Sequence, residues 1–442
     1  MSASRQPIDT LILPRWLIPV VPAGAVLEGH ALAVDGGRIR AVLPADEAAA
    51  RFAARETIKL PRQALIPGLI NAHTHAAMNL MRGLADDLPL MEWLQEHIWP
   101  AEGRFVSEGF CADGVQLAAA EMLRGGTTCF NDMYFFPDVT AATTARIGMR
   151  AAVGMILIDF PTPWASTTEE YLAKGQQVRD AYRDHPLIST NFAPHAPYTV
   201  SDEPLRAVRT RADEMDLRVH MHVHETAFEV EQAEQQDGRR PLARLADLGL
   251  VTPNLLAVHM TQLTESEIED CARAGVHVLH SPESNLKLAS GLCPVAKLLD
   301  AGVNVALGTD GAASNNDLDM IGEMRTAALI GKLAAGDAAA LPAATVLQMA
   351  TLNGARALGL DADTGSLEPG KWADCTAIDL DTPETRPLYD PVAQIVYSSD
   401  RRQVTDTWVA GKRLLRDRQL TTIDLDDTLA RVDHWQAALG KA

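Results

Sequence analysis

The chain has 442 residues, 47% of them hydrophobic and 22% charged, which is ample for a large buried core and close to the globular norm. Its formal net charge of −19 argues against a nucleic-acid backbone or an anionic membrane as the main partner, because both need a basic surface. Five scattered cysteines, Cys111, Cys129, Cys271, Cys293 and Cys375, with no C-x-x-C pair, argue against a disulfide framework or a thiolate zinc knuckle and for a reducing, cytoplasmic setting.

The first apolar patch, LILPRWLIPVVPAG, is interrupted by Pro14, Arg15 and Pro19 and lacks a basic segment before it, so it reads as neither a signal peptide nor a membrane span. Residues 8–60 contain VDGGRIRAVLP, a hairpin signal with Asp35-Gly36-Gly37 at the turn. From there eight short apolar runs follow, at 64–73, 127–133, 150–158, 187–195, 218–225, 255–260, 276–281 and 304–310. They alternate with Ala- and Leu-rich amphipathic segments such as 111–124, 203–215 and 264–274, the last opened by the helix cap Thr264. Residues 366–424 return to strand and turn in SLEPGKWADCTAIDL and TDTWVAGKRLLRD, and 424–440 has helical spacing. This rhythm predicts an α/β chain: a (β/α)8 TIM-type barrel over 64–365, with a small β-sandwich domain built from both chain termini, 1–63 and 366–442, the latter including a terminal helix.

In such a barrel reactive groups gather at the C-terminal ends of the strands, and here those ends read HTH, NDM, APH, HVHE, VHM, HSP and GTD. His73 and His75, at i and i+2, share a strand face and can reach one cation. VHMHVHE offers His220, His222 and His224 at alternate positions, and periodicity alone does not separate them. Asp310, ending the eighth run, can close a His₃Asp set. None of these patterns is specific alone, but together they point to a hydrolytic metal site, where a bound cation lowers the pKa of water toward neutrality. Glu225 and His259 are candidates to move the protons.

PGLINAHTHAAMNLMRGLADDLPLMEWL, HETAFEV, HSPESNLKLASG and GTDGAASNNDLDM resemble the metal-dependent amidohydrolase superfamily, and within it the 5′-methylthioadenosine/S-adenosylhomocysteine deaminases, over nearly the whole chain. The resemblance implies one divalent metal per subunit, Zn²⁺ by preference, held by His73, His75, His222 and Asp310; His222 is singled out because in these deaminases the third metal histidine stands three residues before a catalytic glutamate, here Glu225. It implies a purine nucleoside substrate, deaminated at C6. Glu225 then protonates N1, Asp310 takes the proton of the attacking water, and His259 hydrogen-bonds that water. By family position Glu102 accepts the ribose hydroxyls, while His195 and Arg150 contact substrate. His220 supports the site, and His224 is a pocket wall or a partner of the ligands. The segment DFPTPWASTTEEYL lacks the arginine that grips the amino-acid carboxylate of S-adenosylhomocysteine in some members, which favours methylthioadenosine or adenosine. The alternatives are a deaminase or dechlorinase acting on guanine, a pterin or an s-triazine, and a non-enzymatic barrel scaffold. Apolar barrel helices are compatible with a homo-oligomer.

Overall fold

The computed structural model describes residues 5–440. Both termini build one nine-stranded sheet. Its N-terminal strands are β1 (Gln6–Leu17), β2 (Leu27–Glu28), β3 (His30–Asp35), β4 (Arg38–Pro44) and β5 (Phe52–Pro67). The barrel follows as β6 (Leu69–Thr74), β7 (Thr127–Tyr134), β8 (Arg150–Leu157), β9 (Ile188–Pro194), β10 (Val219–Val223), β11 (Leu255–His259), β12 (His277–His280) and β13 (Asn304–Leu307). β14 (Cys375–Asp379), β15 (Val404–Val409), β16 (Lys412–Arg416) and β17 (Gln419–Leu420) then return to the first sheet.

The eight barrel strands are hydrogen-bonded in chain order and all parallel. Being covered on both faces, they are almost wholly buried, which is why they read as continuous apolar runs rather than alternating ones. The ring closes between β13 and β6 through the Asn71 side chain and one backbone bond just past β13. Asn71 Nδ2 donates to Thr309 Oγ1 at 2.7 Å and Asn71 Oδ1 accepts from Thr309 N at 3.0 Å, while Asp310 N donates to His73 O at 3.0 Å. A Cβ on Gly308 would lie 2.6 Å from His73 N, so this closure requires glycine.

The apolar run at 64–73 is divided at Gly68: Ala64–Pro67 pair with β14 in the small sheet, and the barrel begins at Leu69. A Cβ on Gly68 would sit 2.1 Å from Thr128 Oγ1, so only glycine lets the two sheets abut there. In the small sheet β5 pairs in parallel with β1 and antiparallel with β14. The β3–β4 hairpin turns at Gly36 and Gly37, φ +59° and +75°, the left-handed pair that a two-residue hairpin demands. The sheet curls so that this turn meets the C-terminal strands. Ala373 N donates to Gly37 O at 2.9 Å, and Ile12, Leu32, Ile58, Leu65, Cys375 and Trp408 share one core.

Thr264 caps the helix Glu265–Ala274 in a capping box with Glu267. The last helix, Leu425–Leu439, packs on the barrel helix Glu108–Arg124, with Trp435 edge-on to Phe110 at 5.2 Å and its Nε1 donating to Asp113 at 2.9 Å. No described helix is long and apolar enough to cross a membrane.

Candidate active site

His73 on β6, His75 just beyond it, His222 on β10 and Asp310 just past β13 converge: one ligand atom from each lies within 4.8 Å of the others. Each histidine is held by its other ring nitrogen. His222 Nδ1 donates to His195 O at 2.8 Å, His75 Nδ1 donates to Met133 O, and His73 Nδ1 shares a hydrogen bond with His220 Nε2 at 2.9 Å. These outer partners fix ring orientation as they do around metal-bound histidines. Asp310 divides its two oxygens. Oδ2 accepts from the Ser284 and Ser314 hydroxyls at 2.6 and 2.9 Å, whereas Oδ1 faces His73 Nε2 and His75 Nε2, both at 3.2 Å. Burial works against its ionisation, but the two imidazoles hold the carboxyl well below the usual range. His73 Nε2 is itself buried without a hydrogen-bond partner. An orphaned imidazole nitrogen facing a carboxylate and two further imidazoles is a donor set that fits one divalent cation.

A cleft of about 780 Å³, counting its open mouth, stands over this cluster. Its floor is His75, His222, Glu225, His259 and Asp310. Glu225 follows β10 at once, and its Oε2 is 3.8 Å from His259 Nε2. Burial raises the Glu225 carboxyl, with His259 opposing, which favours the protonated acid. His259 Nδ1 donates to Asn285 Oδ1 at 2.8 Å, leaving Nε2 toward the cleft. His195, one residue past β9, bonds Thr199 Oγ1 through Nδ1 at 2.9 Å, and burial pushes its imidazole down to about 3, so the ring is neutral. Glu102 enters the wall from the helix Trp99–Phe105; burial pushes its carboxyl up to about 7, with the Tyr134 hydroxyl pulling the other way.

The remaining walls are mostly apolar and aromatic, among them Trp93, Trp99, Ile156, Ile158 and Phe160, and among the described residues no lysine or arginine lines the cleft. Sequence reasoning missed these walls, together with Asn285 and the Ser284 and Ser314 hydroxyls. Ser284 and Asn285 lie in HSPESN, directly after a strand end, which was the available signal.

Two expectations are corrected. Arg150 opens β8 and so lies at the opposite end of the barrel, roughly 20 Å along the strand from Ile156 at the cleft. It makes a buried two-pronged pair with Asp374, at 2.8 and 3.3 Å, and donates to Pro186 O at 2.9 Å, so it ties the barrel to the small sheet rather than touching substrate. His224 is not a pocket wall. β10 ends at Val223, and at φ +53° the backbone of His224 turns its ring away, where Nε2 accepts from Leu242 N at 3.1 Å.

The pattern of the amidohydrolase family matches residues 64–414, most of the chain and all of the barrel. The chain belongs to the amidohydrolase family. Within that family this amidohydrolase groups with proteins named 5-methylthioadenosine/S-adenosylhomocysteine deaminase. It is 50% identical over 433 residues to the one from Teredinibacter turnerae, covering 98% of each chain, and 49% identical over 436 residues to the one from Saccharophagus degradans, covering 99% and 98%. A solved adenosine deaminase from Xanthomonas campestris with bound zinc is 54% identical at a TM-score of 0.99, covering 99% of this chain and 100% of that one. An atrazine chlorohydrolase from Arthrobacter aurescens, 24% identical over 96% of this chain and 99% of its own, shares the fold at a TM-score of 0.89. This amidohydrolase is a metal-dependent hydrolase.

Proposed function

We propose that the protein hydrolytically deaminates the adenine C6 amino group of 5′-methylthioadenosine and adenosine, giving the inosine analogue and ammonia. One observation carries the reading: the four-residue cluster and Glu225, whose carboxyl burial pushes up toward the acid form, share the floor of a cleft with apolar and aromatic walls and, among the described residues, no lysine or arginine. His73, His75, His222 and Asp310 would hold one ion, which we take as zinc. Such a cation, when bound, supplies a Lewis acid that makes an attacking hydroxide available near neutral pH.

The chain's own groups divide the proton traffic. Asp310, held ionised by its imidazole neighbours, accepts a proton from the attacking water; the two serine hydroxyls hold Oδ2, while Oδ1, which also accepts from Gly311 N at 2.8 Å, faces the cluster. Glu225 donates to N1, where electron density collects as C6 becomes tetrahedral, so it stabilises the transition state more than the ground state. His259, oriented by Asn285, hydrogen-bonds the attacking oxygen. His195 and Glu102 position the nucleoside, Glu102 by accepting from the ribose hydroxyls.

The carboxylate of S-adenosylhomocysteine would find no lysine or arginine among the described residues of this cleft, whereas a methylthio group only gains from apolar walls. All five cysteines are buried free thiols, which supports a reducing, cytoplasmic setting. Loss of ultraviolet absorbance with 5′-methylthioadenosine, adenosine, S-adenosylhomocysteine, guanine and an s-triazine tests the reading. The expected kcat/KM for methylthioadenosine exceeds that for S-adenosylhomocysteine by about tenfold or more, the worth of one missing charge-assisted bond. A preference for guanine or the triazine overturns the assignment, and a preference for S-adenosylhomocysteine overturns the ranking.

A further inference from the structure

A second cavity lies away from the catalytic cleft, between the segment Asn79–Leu84 at the end of the short helical turn Ala76–Met81, the barrel helix Glu108–Arg124, the helical turn Arg401–Gln403 and the terminal helix Leu425–Leu439. Among the described residues its charged lining is five arginines, Arg82, Arg124, Arg401, Arg402 and Arg418, against one carboxylate, Glu121. Counting Asp400 and Asp317, which pair with Arg402 and Arg401 from outside the lining, five positive charges less three leave a local excess of two in a chain whose net charge is −19. The cavity beside the cleft mouth is the reverse, with Arg239 and Arg244 set against Asp159, Asp202, Glu229 and Asp237.

The single carboxylate is already shared. Glu121 Oε2 accepts from Arg82 and Oε1 accepts from Arg401 at 2.7 Å, and the same carboxylate takes Asn79 Nδ2 at 3.2 Å and Leu318 N at 3.3 Å. Arg402 is paired with Asp400, which does not line the cavity. Among the described residues Arg124 and Arg418 have carbonyl partners alone: Arg124 Nη1 donates to Arg418 O at 3.1 Å, and Arg418 Nη1 donates to Val404 O and Arg401 O at 2.7 and 2.8 Å. Their guanidiniums face each other closely enough that burial, and then Arg124, lower the pKa of Arg418. Carbonyls satisfy donors but cancel little charge, so among the described residues these two adjacent cations have no carboxylate in contact, and Asp400, nearby, offsets them only in part. The opposite wall, Leu80, Leu84, Leu117, Leu425 and Val432, is apolar, and the space is about 1590 Å³ counting its mouth, far more than a bare phosphate fills.

We propose that this cavity binds an organic phosphate: an anionic head on the Arg124, Arg418 and Arg402 guanidiniums, with an apolar body against the leucine wall. Planar guanidiniums match phosphate oxygens in two-pronged geometry, and a cationic concavity on an acidic protein concentrates anions locally.

The test is isothermal titration of the metal-loaded full chain with phenyl phosphate, inorganic phosphate and phenol. Phenyl phosphate should bind at one site per chain and weaken with added salt, inorganic phosphate should bind more weakly, and phenol should not bind. The double variant Arg124→Gln, Arg402→Glu should lose affinity by about tenfold or more, the cost of losing one charge-assisted contact. Arg402→Glu alone serves as the milder variant should the double one fold poorly, and Arg206→Glu, on an exposed helix elsewhere, should leave binding unchanged. No saturable binding of phenyl phosphate, or binding by both Arg402 variants as tight as by the unsubstituted chain, overturns the site; inorganic phosphate binding as tightly as phenyl phosphate overturns the organic body.

Discussion

Replacing Glu102 with glutamine separates its cost to folding from its use in binding. In the metal-free protein burial pushes the Glu102 carboxyl up to about 7, from an ordinary 4.5. Between those two values the folded state holds a proton that the unfolded chain has released, so this group makes stability fall as pH rises from 4.5 to 7, and the deficit persists above 7. A shift of this size corresponds to about 2–4 kcal/mol. Glutamine keeps the shape and is neutral at every pH. Glu102→Gln should therefore raise the melting temperature of the metal-free protein at pH 8 and leave it nearly unchanged at pH 4.5, as followed by circular dichroism. Activity should move the other way. An ionised carboxylate accepting two ribose hydroxyls is worth about 1.5–3 kcal/mol per bond, so kcat/KM for methylthioadenosine should fall by a factor on the order of 10²–10⁴. The loss should be much smaller for 2′,3′-dideoxyadenosine, which has no hydroxyls to offer. An unchanged melting temperature at pH 8 would refute the burial argument, and equal losses on both nucleosides would refute the ribose contact.

His222→Ala should leave the purified protein with well under one equivalent of divalent metal by elemental analysis, whereas His224→Ala should retain its metal and lose only stability, because His224 Nε2 serves the backbone of Leu242. Retention in the first variant and loss in the second would reverse the assignment. Arg150→Met strands the buried Asp374 carboxylate and should cost about 3–5 kcal/mol in denaturant unfolding with KM unchanged; a raised KM at unchanged stability would return Arg150 to the substrate.

The barrel was legible because its strands are covered on both faces. A continuous apolar run that stops at HTH, HVHE or GTD is conspicuous, since a polar group at such an end must be satisfied or used. The closing turn was legible in part: Asp310 stood out, but Ser284 and Ser314, which fix its second oxygen, looked like any hydroxyls after a strand. Arg150 was illegible for a different reason. Its partner Asp374 is 224 residues away, in a segment that joins the small sheet, and nothing local to Arg150 encodes that meeting.

The histidines mark the limit of pattern reading most sharply. His224 and His259 both stand at the end of a barrel strand with left-handed backbone, φ +53° and +73°, a conformation that costs a non-glycine residue about 1–2 kcal/mol. After β10 that turn carries the His224 ring behind the barrel wall, to Leu242. At the end of β11 it carries the His259 ring over the cluster, to Glu225 and Asn285. Alternation along a strand holds only while the backbone stays extended, so the residue at which it leaves the β region decides which histidines reach the site. In VHMHVHE that departure falls between Val223 and His224. Two of the three imidazoles therefore remain inside the barrel, His222 in the cluster and His220 one step below it, bonded to His73.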